Sequence, residues 1–190
     1  MVKQRNLFTV KRLALDAVLV ALYVLLGFLK IPIGNILRVN MASFAVVICA
    51  VAFSPIDGLI VGFMGEFLSQ VLGPYGLTAT TVIWSLPEAA RGLFLGLCML
   101  LLRRKELSPT RFNMTQAMYL FFCVATGLIA SLLNTFALYV DSKMFGYYTY
   151  YMVFGILIVR LSMALVMSGL FGYVALYIVA ALRANHLIKE

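Results

Sequence analysis

Polar residues occur along this chain in short clusters, and between the clusters run long stretches of nearly pure hydrophobe. Read in order, the apolar stretches predict helices at about 13–29, 41–53, 59–72, 81–102, 115–140 and 148–182. Several reach the roughly 20 residues needed to cross a bilayer. The second is short, so it is expected to tilt or to begin inside the loop before it. The ten-residue alternating segments of a membrane β-barrel are absent. The expected architecture is an all-α integral membrane protein: one domain of six transmembrane helices over residues 1–190, with no soluble domain.

The connections have their own character. Residues 30–44 read KIPIGNILRVNMASF, a loop that brings Pro32, Gly34, Asn35, Arg38 and Asn40 to a membrane edge. Ser54-Pro55-Ile56-Asp57-Gly58 reads as a tight turn. Gly58, Gly62 and Gly65 then give the third helix a face that another helix can approach closely. Ala14, Ala17 and Ala21 make a similar small-residue stripe on the first helix, suited either to packing inside the subunit or to a partner helix. Pro87 is expected to kink or restart the fourth helix.

Composition agrees with the pattern. Hydrophobic residues make up 64% of the 190 and charged residues 12%, against about a quarter charged in soluble domains. The net charge of +8 does not point to nucleic acid, because the basic residues sit beside helix ends. Lys3, Arg5, Lys11 and Arg12 precede the first helix; Arg103, Arg104, Lys105 and Arg111 follow the fourth; Arg183 and Lys189 close the chain. The opposite connections hold only Lys30, Arg38 and Lys143. By the positive-inside rule, both termini are expected in the cytoplasm. The basic start runs into a full-length span with no small-residue cleavage pattern, so no cleaved signal peptide is expected.

Enzyme chemistry finds little support. The chain has no GxSxG, HExxH or P-loop, and its single histidine, His186, lies in the tail. Cys49, Cys98 and Cys123 lie in apolar segments without metal spacing and read as small buried hydrophobes. No metal or cofactor is expected.

Charges inside membrane segments are another matter, since each costs roughly 2.5–3.5 kcal/mol at the bilayer centre on insertion scales. Asp16 has Arg12 four residues away and reads as a local ion pair. Glu88 and Arg91, three apart, either neutralise each other or face a ligand. Glu66 and Arg160 lack an evident partner on their own helices and are expected to face a cavity. The candidate ligand-binding set is therefore Arg38, Asn40, Glu66, Gln70, Trp84, Glu88, Arg91, Asn134, Tyr150 and Arg160. Arginine forks suit carboxylate or phosphate, carboxylates accept from an aminopyrimidine-like edge, and Trp84 and the tyrosines offer flat faces. Tyr147, Tyr148, Tyr150 and Tyr151 equally suit anchoring at the membrane interface.

These residues resemble the S components of energy-coupling factor (ECF) vitamin transporters. Ala17-xxx-Ala21 looks like the AxxxA motif of that family. Arg38-Val39-Asn40 with Phe44, and Phe53-Ser54-Pro55-Ile56-Asp57-Gly58 with Gly62 and Glu66, resemble the folate-type members, as do Leu133-Asn134-Thr135 and Arg160. Ser54 stands where those members usually have glycine, and Glu66 where they have aspartate. Trp84-Ser85-Leu86-Pro87-Glu88-Ala89-Ala90-Arg91 departs from their pattern and points to another ligand, such as pantothenate or a pyridoxine or pyrimidine compound.

The resemblance implies a substrate-binding subunit in a bacterial cell membrane that captures a vitamin, folate first, from outside. Ala14, Ala17 and Ala21 would dock on a transmembrane coupling subunit, and two cytoplasmic ATPases would drive release inside. The competing expectations are a stand-alone channel or secondary transporter, and a membrane enzyme using Glu66 and Glu88.

Overall fold

Backbone N–H and C=O groups removed from water must be satisfied within the chain, and an apolar run does this by coiling into a helix. The computed structural model describes residues 10–33, 37–74, 76–102 and 114–184. In order come α1 (Val10–Phe28), a hairpin of β1 (Lys30–Ile33) and β2 (Leu37–Asn40), then α2 (Ser43–Ala52), α3 (Pro55–Val71), α4 (Thr81–Leu101), α5 (Met114–Met144) and α6 (Leu157–Ala184). A π-helical turn over Tyr151–Gly155 leads into α6. Three of the described helical stretches, Thr81–Leu101, Met114–Met144 and Tyr151–Leu182, are long and apolar enough to cross a membrane.

Two features depart from the sequence pattern. The stretch read as a loop is an antiparallel hairpin, with Lys30 opposite Asn40 and Ile31 opposite Val39. Pro32 bars a helix there, and β-branched neighbours favour extended backbone. The short second apolar run is the ten-residue α2, and it is central: Val46, Val47, Ala50 and Val51 are fully buried. A helix that is apolar all round belongs inside a bundle. It packs against α1, α3, α4 and α6. Val47 and Val51 join Leu95, Met99, Tyr119, Cys123, Phe171 and Ala175 in one core.

The turn before α3 is a helix cap. The Ser54 side chain accepts from the Asp57 N–H, the Asp57 carboxylate accepts from the Ser54 N–H at 3.0 Å, and Pro55 begins the helix. Asp57 also takes Arg12, whose Nε donates to Oδ2 at 2.8 Å. The local Arg12–Asp16 pair is therefore replaced by a bond between α1 and α3. Asp16 is left 5% exposed, and its Oδ1 has no hydrogen-bond partner. Asp57 wins because its carboxylate is already fixed in the cap beside α1. Pro87 does not restart α4, which continues through it.

The glycine face of α3 meets α4 backbone to backbone. A Cβ on Gly58 would lie 2.6 Å from the Gly92 carbonyl oxygen, and one on Gly62 would lie 2.4 Å from that of Glu88. Gly96 gives the same closeness to Pro55, at 2.5 Å. No flexible side-chain end can yield at these points, so a methyl group must push the helices apart. Gly62→Ala is expected to lower stability by about 1–3 kcal/mol, the usual cost of overpacking. Gly169→Ala, whose new Cβ would meet only Val124 at 3.9 Å, should be neutral. Thermal unfolding in detergent micelles compares the two.

Candidate ligand-binding site

A cavity of about 250 Å³ is lined by all six described α-helices, α1 to α6, and by the end of β2. α1 contributes Tyr23, β2 contributes Asn40 and α2 contributes Ser43. α3 adds Glu66, α4 adds Trp84, Glu88 and Arg91, α5 adds Asn134, and α6 adds Arg160, Ser168 and Phe171. Asn40 and Asn134 are exposed, whereas Ser43, Arg91 and Ser168 are buried, so the cavity has an open end and a closed one.

Helix contacts set where the carboxylates sit. A Cβ on Gly65 would lie 2.6 Å from the Tyr23 ring, so the bare glycine lets that ring pack directly against α3. The Tyr23 hydroxyl then donates to Glu66 Oε2 at 2.6 Å, and Gln70 Nε2 donates to Oε1 at 2.7 Å. Glu66 thus has a helical partner in Gln70, contrary to its expected isolation, because four residues of α3 make one turn. Glu88 Oε1 accepts from Ser43 Oγ at 2.6 Å. Arg91 lies 3.9 Å from that same oxygen and donates to Ser168 Oγ at 3.0 Å. Arg160 Nη2 donates to the Met152 carbonyl, at 3.0 Å, in the π-helical turn.

Two buried atoms of this group are left over. Glu88 Oε2 and Arg91 Nε have no hydrogen-bond partner. Both belong to residues that line the cavity. The four described charges, on Glu66, Glu88, Arg91 and Arg160, cancel. Among the described residues, no group of three or more His, Cys, Asp or Glu is placed to hold a metal.

The cavity gathers Asn40, Glu66, Trp84, Glu88, Arg91, Asn134 and Arg160 from the sequence-derived set. Gln70 does not line it but supports Glu66. The Arg38 side chain lies outside the described residues. Tyr150 stands away from the cavity, 71% exposed, with its ring 5.5 Å from that of Phe154. The turn before α6 directs it outward, as suits an interfacial aromatic. Sequence reasoning passed over Tyr23, Ser43, Ser168 and Phe171. The serines carried a faint signal, as polar residues in apolar runs, and the other two read as ordinary hydrophobes.

A family model described as ECF-type riboflavin transporter, S component, matches residues 7–184. The chain belongs to that family. The fold of this S component is similar to the crystal structure of an S-component for biotin from an ECF-type ABC transporter. The TM-score is 0.60 at 17% identity, over 96% of this chain and 95% of the other. No curated protein matches the chain. S components are substrate-binding transport subunits, so the S component described here is not an enzyme.

Tyr23→Phe removes a hydrogen bond to a charged, partly buried acceptor. It is expected to destabilise the ligand-free S component by about 1.5–3 kcal/mol, read as a lower thermal midpoint in detergent.

Proposed function

We propose that this S component captures a flavin, riboflavin first, from outside a bacterial cell and delivers it to the cytoplasm. On this reading the chain crosses the plasma membrane six times with both termini inside, as its basic clusters suggest. The observation that carries the ligand assignment is the unpartnered pair of Glu88 Oε2 and Arg91 Nε beside the cavity. A buried polar atom without a partner is costly, and a ligand that supplies the partner recovers that cost. The pyrimidine edge of an isoalloxazine places an N–H next to a carbonyl, matching one acceptor and one donor. Trp84 and Phe171 offer flat faces for the rings, and Asn40 and Asn134 at the open end suit the ribityl hydroxyls. The family description names the same vitamin.

Folate, favoured by the sequence motifs, fits less well. It carries two carboxylates, as pantothenate carries one, and the described charges of the cavity leave no positive excess to receive them. A second reading, a pyridoxine or pyrimidine compound, is favoured by size. About 250 Å³ lies below the roughly 300–1,000 Å³ of drug-sized pockets, and a single ring has the same donor–acceptor edge. Titration of the purified protein with riboflavin, pyridoxine, a hydroxymethylpyrimidine, folate and pantothenate separates these cases. Riboflavin binding that Glu88→Gln weakens more than tenfold, about 1.4 kcal/mol, is the expected result. Binding of folate without riboflavin would overturn the charge argument.

Delivery requires a partner. Ala14, Ala17 and Ala21 are all exposed on α1, a stripe of small side chains that a partner helix can approach closely. We take this as the surface for the transmembrane coupling subunit, which would carry two cytoplasmic ATPases. Ala17→Trp with Ala21→Trp should abolish vitamin uptake in cells that express the whole transporter, while leaving binding to the purified protein unchanged. Uptake into vesicles holding this chain alone would instead support a stand-alone transporter.

A further inference from the structure

Outside the hydrogen bonds that hold the cavity's own carboxylates, one buried carboxylate joins two walls of the cavity. Asp141, in the last turn of α5, is 9% exposed. Its Oδ1 accepts from the Thr80 hydroxyl and its Oδ2 from the Tyr147 hydroxyl. Thr80 is fully buried and is the residue on which α4 starts. Its carbonyl accepts the Trp84 N–H at 3.1 Å. Trp84 lines the cavity, and Asn134, another lining residue, lies on the Asp141 face of α5 two turns earlier. Tyr147 belongs to the connection after α5, where Gly146 adopts φ +76°. One carboxylate therefore ties together the first turn of α4, the last turn of α5 and the segment that follows it. It sits at the N-terminal end of α4, where the helix dipole favours negative charge.

We propose that Asp141 is a positioning residue for the vitamin site: it fixes the Trp84 ring against the cavity by holding Thr80, whose carbonyl takes the Trp84 backbone N–H. It also links the placement of that ring to the α5–α6 connection through Tyr147. This inference rests on the vitamin-binding reading, but it has its own readout. Trp84 is the only tryptophan in the chain, so the intrinsic tryptophan emission of the whole protein reports this one ring.

The test compares Asp141→Ala, Thr80→Val and Tyr147→Phe with the parent protein, purified in detergent. Three quantities are read: Trp84 emission without ligand, riboflavin affinity from flavin quenching, and the thermal midpoint. Asp141→Ala is expected to shift the Trp84 emission and weaken riboflavin binding about tenfold, as loss of bonds to a charged acceptor implies. Thr80→Val should move both in the same direction, and Tyr147→Phe by less. A lower thermal midpoint with unchanged emission and affinity would overturn the proposal, leaving Asp141 as a clip that only stabilises the fold. If Asp141→Ala does not fold, Thr80→Val and Tyr147→Phe decide between the same outcomes. If the parent protein binds no riboflavin, the flavin reading fails. The emission of the ligand-free variants then still shows whether Asp141 places the Trp84 ring.

Discussion

The close approach of α3 to α4 is the constraint from which the cavity follows. Helices with ordinary side chains at their contact lie about 8–10 Å apart. Glycines at 58, 62, 92 and 96 remove the side chains at this crossing, so backbone meets backbone. The contact runs along α3 from Gly58 to Gly62, and Glu66 is the next residue on the same face, one turn further. On α4 it includes Glu88 itself, through its carbonyl. Drawing these backbones together fixes two carboxylates on neighbouring helices at the edge of one cavity. A larger residue at any of these glycines would move the carboxylates as well as loosen the pair.

Two carboxylates gathered in this way need compensation, and each described charge has it in part. Tyr23 and Gln70 hold Glu66, Ser43 holds Glu88, Ser168 holds Arg91, and the Met152 carbonyl takes Arg160. Most of these partners are neutral side chains on other helices, so the network also sets the relative position of the helices. Neutral donors leave the ionic balance of the cavity at zero. An uncharged polar ligand then leaves that balance unchanged, whereas an anion would add negative charge to a cavity whose described charges already cancel. On the proposed reading, the leftover acceptor on Glu88 and donor on Arg91 are where such a ligand gains most.

Much of this was legible in the sequence because intramembrane charge is expensive and therefore conspicuous. Glu66, Glu88, Arg91 and Arg160 stand out against apolar runs, and the cavity collects all four. The glycine spacing at 58, 62 and 65 likewise gives a close-approach face, although not which helix meets it. What escaped depends on contacts between distant segments. Arg12 has a carboxylate four residues away, yet it bonds Asp57, 45 positions along, because the capped end of α3 holds that group ready. Tyr23 reads as one more apolar residue until Gly65 is seen beneath its ring. The paired strands Lys30–Ile33 and Leu37–Asn40 read as loop in the sequence because each is only four residues, too short for alternation to be distinctive. The aromatic cluster around Tyr150 marks it as a candidate in the sequence, and only the turn before α6 shows which way it faces.

α1 carries both halves of the proposed function on opposite sides. Ala14, Ala17 and Ala21 face outward, while Asp16, Tyr23 and Gly27 are buried. Residues 16, 23 and 27 recur at helical spacing and form one stripe, and the alanines form another across the helix. The inward stripe reaches α3 through the Tyr23–Glu66 bond, and Arg12 reaches the same helix through Asp57. A partner seated on the alanines would therefore press on a helix whose two attachments to α3 lie at its beginning and near its end. On the proposed reading, the second of these attachments is part of the cavity wall. Force applied to α1 has a direct mechanical route to Glu66, with no intervening loop to absorb it.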